Sequence, residues 1–356
     1  MKKTIMVIIK LILLGAILFG LYVAATIAYA YFTDYQPEPE EEIEVIKGSV
    51  NRAIDKDEFV FYDWNIGYCG LGAESDFFYD GGKMVRPKKD LTQKNLDGVL
   101  QTVKSWTSDA DFILLQEVDV KSKRSYKINE LDAIQKTTGY NAVLGVNYDV
   151  KYVPLPFTNP MGKVLGGIVS LFPYQTASEP IRVQFPSNFS FPKGLFFLDR
   201  CFVKHRFNLK NGKQLIVINT HNSAYDGGKL KIQEMEYFKK YIVDEYNLGN
   251  YVIVGGDWNQ IPPGYTPKDA NSNYEEMPIP EGYVDSNWTW AFDINHATNR
   301  KVDKPYVKDK SYTTIIDFYL LSPNIELIAV EGLPNDFAFS DHQPVKMKCK
   351  LKPYEN

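Results

Sequence analysis

Tyr251-Val252-Ile253-Val254-Gly255-Gly256-Asp257-Trp258-Asn259 is a short apolar, β-branched run that stops on two glycines and a carboxylate. Its length and composition are those of a buried strand and fall well short of a helix. An Asp and an Asn directly beyond such a strand stand where an α/β scaffold holds a ligand rigidly. The pattern recurs along the chain. The run 59–66 carries Trp64-Asn65, and 112–115 leads straight into Gln116-Glu117. The run 215–218 ends in Asn219-Thr220-His221-Asn222, 315–321 carries Asp317, and Ser340-Asp341-His342 precedes the last apolar run. Each has an ordinary explanation when taken alone, because Asn and Asp are common turn formers and a lone histidine is more often structural. Glu117 stands out, since a carboxylate continuing a buried strand needs a cation or a donor. Co-occurrence carries the argument: independent turn formers would not line up in one recurring order.

Outward from these sites, strands are expected at 58–66, 111–117, 165–172, 196–207, 214–220, 251–255, 314–322 and 344–351. Amphipathic helices separate some of them. In 91–106, Leu96, Val99, Leu100, Val103 and Trp106 recur at three and four, which sets one apolar stripe against a sheet. Met235, Phe238 and Ile242 do the same in 229–246. Such a mixture predicts an α/β protein with more than one sheet, not an alternating βα barrel. No internal repeat is visible. Two stretches, 148–162 and 262–287, read as long surface loops, a length that usually marks function or mobility. Their aromatics raise the idea of lipid contact, although such side chains more often pack back on their own scaffold. His205 and His296 lack comparable neighbours and read as structural.

The composition excludes disorder, collagen and coiled coil: 44% of the 356 residues are hydrophobic and 24% charged. The net charge of -4 is concentrated at the start of the chain. Setting aside three lysines and six acidic residues before position 45 leaves 37 basic and 38 acidic side chains. A nearly neutral body carries no footprint for coating a polyanion, although a local basic groove is compatible with it. Cys69, Cys201 and Cys349 are widely spaced and form no C-x-x-C pair, so neither a zinc nor a redox motif is present.

Residues 11–32 run without a charge and as a helix would span roughly 33 Å, the thickness of a bilayer core. Lys2, Lys3 and Lys10 precede the run and an acidic stretch follows. The positive-inside rule then predicts a single-pass anchor with a cytoplasmic N-terminus and the rest of the chain outside the cell membrane. Ala28-Tyr29-Ala30 also fits a signal-peptidase site, which would make the protein secreted, but the apolar run is longer than a usual signal core. The expected organisation is an anchor at 1–32, an acidic proline-rich linker at 33–54 read as a stiff tether too polar to pack, and a catalytic domain at 55–356.

The order WN, QE, NTH, GDWN, ID and SDH resembles the endonuclease/exonuclease/phosphatase superfamily, which includes DNase I-like nucleases, apurinic endonucleases, inositol polyphosphate 5-phosphatases and neutral sphingomyelinases. The resemblance covers roughly residues 57–352, with GGDWN and SDHQPV its specific parts. It implies a four-layer α/β sandwich, two mostly antiparallel or mixed β-sheets face to face with helices outside, here carrying an N-terminal transmembrane helix. It also implies Mg²⁺, with Mn²⁺ as an alternative, bound by Glu117 with Asn65 beside it and by Asp341 in a second site or the same network. Asp257 would orient or deprotonate the attacking water, and Asn259 would donate to a phosphate oxygen. His342, fixed by Asp317, would bind the scissile phosphate or act as acid and base. His221 would stabilise the transition state or protonate the leaving oxygen. The implied reaction is in-line hydrolysis of a phosphate ester without a covalent enzyme intermediate.

The shared residues read the phosphate and not what hangs from it. The anchor, the aromatic loops and Pro192-Lys193-Gly194, similar to a Lys-Gly element of neutral sphingomyelinases, favour a lipid phosphodiesterase with Lys193 as a substrate contact. That dipeptide is equally an ordinary turn. A nuclease on extracellular DNA or RNA is the alternative. An inositol-phosphate phosphatase lacks its PAWCDR-type element here, having Thr313-Thr314-Ile315-Ile316-Asp317. An inactive, membrane-tethered binding module is the non-enzymatic alternative. Expected partners are thus a phosphate ester, as lipid headgroup or nucleic acid, and a membrane; no protein partner is implied.

Overall fold

The structure, a computed structural model, describes residues 2–186, 189–224, 228–267 and 277–353. Alternation of period two along the strands divides the apolar residues into two sets, and that division builds the layers. The elements run α1 (Lys2–Phe32), β1 (Glu40–Glu42), β2 (Glu58–Asn65), α2 (Lys89–Trp106), β3 (Phe112–Asp119), α3 (Glu130–Thr138), β4 (Asn141–Val153) and β5 (Gly162–Phe172). Next come β6 (Ile181–Gln184), β7 (Cys201–Asn208), β8 (Gln214–His221), α4 (Lys229–Asn247) and β9 (Tyr251–Asp257). The short strands β10 (Thr289–Ala291), β11 (Asn299–Arg300) and β12 (Thr313–Thr314) precede β13 (Asp317–Leu321), β14 (Ile325–Gly332) and β15 (Val345–Leu351).

Two mixed sheets result, in the orders β14-β15-β2-β3-β5-β4 and β1-β6-β7-β8-β9-β13-β10, with β11 and β12 as a separate pair. At the heart of each lies a parallel pair, β2 with β3 and β8 with β9. Parallel neighbours need a crossover, and α2 and α4 supply it. Phe59, Phe61, Phe112, Leu114, Val217, Ile253 and Tyr319 alternate inward to form the core between the sheets. Trp64, Ile113 and Leu115 face the other way, onto Leu96, Val99 and Val103 of α2 and Leu131 and Ile134 of α3. Ile216, Val252 and Phe318 likewise meet Met235, Phe238 and Ile242 of α4. The expected helix, sheet, sheet, helix sandwich is therefore present.

Inside the core Phe61 stacks on Phe112 with centroids 4.7 Å apart. Truncating such a ring to Ala costs about 3–5 kcal/mol. The first turn of α3 is closed by Asn129, whose side chain accepts from the Asp132 N–H. Its far end stops at Gly139, which takes the left-handed conformation open to glycine.

The expected loop at 148–162 is half strand, because β4 continues to Val153 and pairs with β5 down to Gly162. Register shifts after Val146 and Val150 break the alternation that would have revealed it. The expected strand at 196–207 begins only at Cys201; Lys193–Phe196 forms a 3-10 turn instead. Part of the 262–287 loop lies outside the described residues.

The acidic segment before the domain is not a free tether. Glu40–Glu42 adds an edge strand to β6, while Ile43 and Val45 pack on the inter-sheet core and Ile54 is buried in it. Glu41 faces Arg182, which is fully buried and has its Nε 3.8 Å away, while Glu40 and Glu42 stay exposed to water. Glu40 in turn accepts a hydrogen bond from the Tyr241 hydroxyl.

Candidate active site

The inward parity that places Phe59, Val217, Ile253 and Tyr319 in the core continues to the strand ends, where the residues become polar. Asn65 ends β2, His221 ends β8, Asp257 ends β9 and Asp317 opens β13. Register then sets them side by side, with Asp317 opposite Asp257 and Asp257 opposite His221. Gly256 permits the close approach of β8 and β9, since its φ is +144° and a Cβ there would lie 2.1 Å from the Thr220 carbonyl oxygen.

Glu117 arrives differently. Simple alternation would turn it toward α2, but β3 bulges between Leu115 and Val118, and Glu117 itself has φ +55°. A left-handed non-glycine residue within a bulge is local strain that re-aims one side chain. Here the carboxylate is delivered into the cavity at the strand ends.

In that cluster Asp257 is the hub. Its Oδ1 accepts from the Asn259 N–H at 2.9 Å and its Oδ2 from Asn65 Nδ2 at 3.0 Å. His221 Nε2 stands 3.4 Å from the same Oδ2 and 3.9 Å from Glu117 Oε1. His342 Nδ1 donates to both oxygens of Asp317, at 3.0 and 2.8 Å, and its Nε2 lies 3.8 Å from Asp257. The 340–342 turn is tied to β2: Ser340 Oγ donates to the Asn65 carbonyl, and Trp64 Nε1 donates to that of His342.

The two imidazoles are pushed apart in protonation. Burial drives His221 well below the usual histidine range, and the charges of Arg200, His342 and Arg124 add to it. Burial opposes a charge on His342 as well, yet Asp317, Asp257 and Asp341 outweigh it and hold its pKa well above that range. Burial raises the Asp317 carboxyl to about 6, against the His342 charge and with the Asp257 charge. The carboxylates around His342 thus favour its imidazolium form, with Asp317 as the partner of Nδ1. His221 is neutral, with Nε2 facing the acids. Environments that drive two titratable groups in opposite directions define acid and base positions.

Asp341 is raised to about 7, chiefly by burial, with the Glu117 charge raising it and those of His342 and Arg300 lowering it. Two carboxylates that feel one another beside an amide form a hard-oxygen donor set that fits a divalent cation. Asn65 currently turns its Oδ1 to the Gly67 N–H, so its amide nitrogen faces Glu117 at 3.5 Å. Serving as an oxygen ligand requires that amide to rotate. By distance alone, the group of three acid and histidine side chains among the described residues with ligand atoms all within 4.8 Å of one another is Asp257, Asp317 and His342. Because both Asp317 oxygens are engaged by His342, we read that trio as a hydrogen-bonded relay and Glu117 with Asp341 as the cation side.

The cluster lines a cavity of about 860 Å³, whose walls also include Tyr79, Met161, Phe189, Phe196 and Phe197. Glu117, His221, Asp257, Asn259, Asp341 and His342 all line it. Asn259 keeps its Nδ2 on the Asn222 carbonyl at 2.9 Å. Lys193 is not brought to the cluster: it is exposed on its turn, with Nζ 4.4 and 4.6 Å from the ring centres of Phe189 and Phe197.

Three contributors were missed in the sequence. Asn299, on a two-residue strand with no periodic signal, sets its side-chain amide 2.9 Å from His342 Nε2, and that amide has to turn its oxygen to Nε2 when the imidazole is protonated. Arg200 lines the cavity with a buried Nη1 that has no hydrogen-bond partner among the described residues, and it stands before β7 without any motif. Gln116 donates to both Asp63 and Asn219, bridging the two sheets behind the site. QE and NTH were legible as strand ends, but that contact between them was not.

This fold and this site define a DNase I-like α/β sandwich with an acid and imidazole cluster at its strand ends. The chain belongs to the Endonuclease/Exonuclease/phosphatase family, whose model matches residues 64–342. A structure of an endonuclease/exonuclease/phosphatase from Beutenbergia cavernae superposes with a TM-score of 0.57 at 15% identity, over 83% of this chain and 72% of its own. ANGEL2, a 2′,3′-cyclic phosphatase, gives 0.55 at 15% identity over 90% and 100%. D. rerio TDP2, complexed with single-strand DNA product, gives 0.51 at 12% identity over 82% and 99%. At such identities the likeness concerns the fold. A comparison with curated proteins returned no match. The family match supports phosphoester hydrolysis as the reaction class, and enzymes of this superfamily generally depend on a divalent metal.

Proposed function

We propose that the protein is a membrane-anchored, Mg²⁺-dependent phosphodiesterase that hydrolyses a phospholipid, with sphingomyelin the first substrate to test. The observation that carries this is the cavity, whose lining joins the acid and imidazole cluster to aromatic and aliphatic side chains, a composition that suits an amphiphile. A nucleic acid would be better served by a basic groove; Arg124, Arg200, Lys231 and Arg300 line the cavity, but Asp80, Glu117, Asp257 and Asp341 line it too, and the body is nearly neutral.

Glu117 and Asp341, with Asn65 after rotation of its amide, would hold the cation. When bound, it supplies Lewis-acid polarisation of a phosphoryl oxygen and neutralises developing charge. Asp257 accepts a proton from, or orients, the water that attacks phosphorus in line. The imidazolium of His342, held by Asp317, donates to a phosphate oxygen. Neutral His221 donates through Nε2 as charge builds at the reacting centre. Arg200, whose buried Nη1 has no hydrogen-bond partner among the described residues, would receive a non-bridging phosphate oxygen.

The helix α1 is long and apolar enough to cross a membrane and is wholly unburied over its most apolar stretch. With lysines on its N-terminal side, it would leave the catalytic unit extracytoplasmic. The deciding experiment is a side-by-side assay of the full chain on sphingomyelin vesicles, plasmid DNA and inositol phosphates, with Mg²⁺ and with chelator. Metal-dependent release of the sphingomyelin headgroup is expected. Turnover of DNA alone would replace the lipid reading with the nuclease one, and no turnover on any ester would leave a binding module.

A further inference from the structure

The apolar run of α1 is longer than the part of it that stands free. From Thr4 to Leu21 all its side chains are exposed, whereas Thr26 and Ile27 are half-buried and Ala30 is buried. The C-terminal third of the helix thus rests one face on the body and is not fully available to lipid. At the change-over, Phe157 packs edge-on against Phe19 and Tyr22, with centroids 5.6 and 5.5 Å apart. The Tyr22 and Tyr152 hydroxyls are hydrogen-bonded at 3.1 Å. The helix also lies alongside the Lys193–Phe196 turn.

Two loops therefore meet the helix where it leaves the protein, and both display large apolar side chains to the outside. Leu155, Phe157 and Phe191 are 50%, 58% and 68% exposed. The same two loops wall the cavity through Met161 on one and Phe189, Phe196 and Phe197 on the other. Met161 is fixed to the first loop by its N–H, which donates to the Leu155 carbonyl at 2.9 Å.

We propose that the outer boundary of the bilayer lies at Tyr22 and Tyr152, that Leu155, Phe157 and Phe191 dip into the outer leaflet, and that the catalytic cavity opens onto it. The proposal rests on the hydrolase reading above and deepens it by stating how substrate arrives. From Lys3 to Tyr22 the helix covers roughly 29 Å at about 1.5 Å per residue, close to a hydrocarbon core. Lys10, some two turns in, reaches back to the cytoplasmic headgroups along its flexible stem. Tyrosines at the boundary are the side chains that favour a membrane interface. A phospholipid enters headgroup first, with its phosphate meeting the acids and imidazoles while its chains stay in the leaflet beside Phe157 and Phe191. Cleavage after Ala30 would remove the docked turns that set this depth.

The test uses the full chain in vesicles of phosphatidylcholine and sphingomyelin. All three native cysteines are buried, so a thiol-reactive, polarity-sensitive dye reports only an introduced site. Phe157→Cys and Phe191→Cys should give blue-shifted dye emission that is quenched by lipids brominated on their chains. Lys104→Cys, near the C-terminal end of α2 and away from the catalytic strand ends, should give water-like, unquenched emission. Water-like emission at 157 and 191 would overturn the proposal whatever the enzyme does. In the second arm, the triple change Leu155→Asp, Phe157→Asp, Phe191→Asp should lower hydrolysis of vesicle sphingomyelin at least tenfold. Turnover of soluble bis-p-nitrophenyl phosphate should stay within twofold. Equal loss on both substrates, or none on the vesicles, would refute delivery from the leaflet. Absence of turnover in the unaltered protein would instead sink the hydrolase reading and leave the dye result to decide the docking.

Discussion

His342 and His221 both approach Asp257 and are driven to opposite protonation states because their surroundings differ. Asp317 holds one as a cation, while burial keeps the other neutral. Replacing His342 with Ala, or Asp317 with Asn, should lower kcat about 10²- to 10⁴-fold with an unchanged circular dichroism spectrum. Near-normal kcat would remove the imidazolium from the mechanism. Glu117→Gln should raise the Mg²⁺ concentration for half-maximal activity roughly tenfold or more, since it deletes a charge from the donor set. An unchanged titration would move the cation to the Asp257, Asp317 and His342 trio. His205 gives a third prediction, remote from the chemistry. It is fully buried beside Phe207, its Nδ1 is 3.0 Å from the Val217 carbonyl, and burial lowers its pKa from 6.5 to about 4. A depressed folded-state pKa contributes stability that is complete above the unfolded value and lost as pH falls toward the folded one. Between pH 6.5 and 4 this amounts to roughly 3 kcal/mol. Urea unfolding of His205→Phe should show that much less pH dependence than the parent, and identical slopes would refute the burial argument.

At the level of elements, legibility followed the physics of each strand. Buried central strands such as β9 and β8 announce themselves as β-branched runs, and their polar tips were readable for that reason. Glu117 was picked out by its place after Leu115, although the bulge that turns it inward leaves no mark in the sequence. The edge strand β14 was missed because one side of it faces water, and Glu326 and Glu331 hide its alternation. Misjudging 33–54 has the same root: Glu40–Glu42 looks unfit to pack until Arg182 is placed beneath it. That correction has a measurable outcome. A soluble chain begun at Asp34 should be at least about 3 kcal/mol more stable than one begun at Asp55, which loses β1 and the packing of Ile43, Val45 and Ile54. Coincident denaturation midpoints would restore the tether.

Across the whole molecule, the site is a product of both sheets and belongs to neither. Asn65 and Glu117 come from one sheet and His221, Asp257 and Asp317 from the other, while His342 sits just ahead of β15. The Gln116 bridge to Asp63 and Asn219 holds the two sheets in register behind the chemistry. Leucine at Gln116 should shift the sheets' mutual alignment and cost about 1–3 kcal/mol, because Asn219 and Asp63 then lose a buried partner. Thermal unfolding of Gln116→Leu at the parent's midpoint would argue that the aromatic core alone sets the spacing.

The place of β15 has one more consequence, and it concerns time. β2, a member of the first parallel pair, pairs on its other side with β15, from Val345 opposite Asp63 to Lys350 opposite Glu58. During synthesis, then, β2 waits with an open flank until the ribosome has passed Leu351, and His342, just ahead of β15, is seated on the same late event. A nascent chain in this way completes its acid and imidazole cluster only in a single closing step.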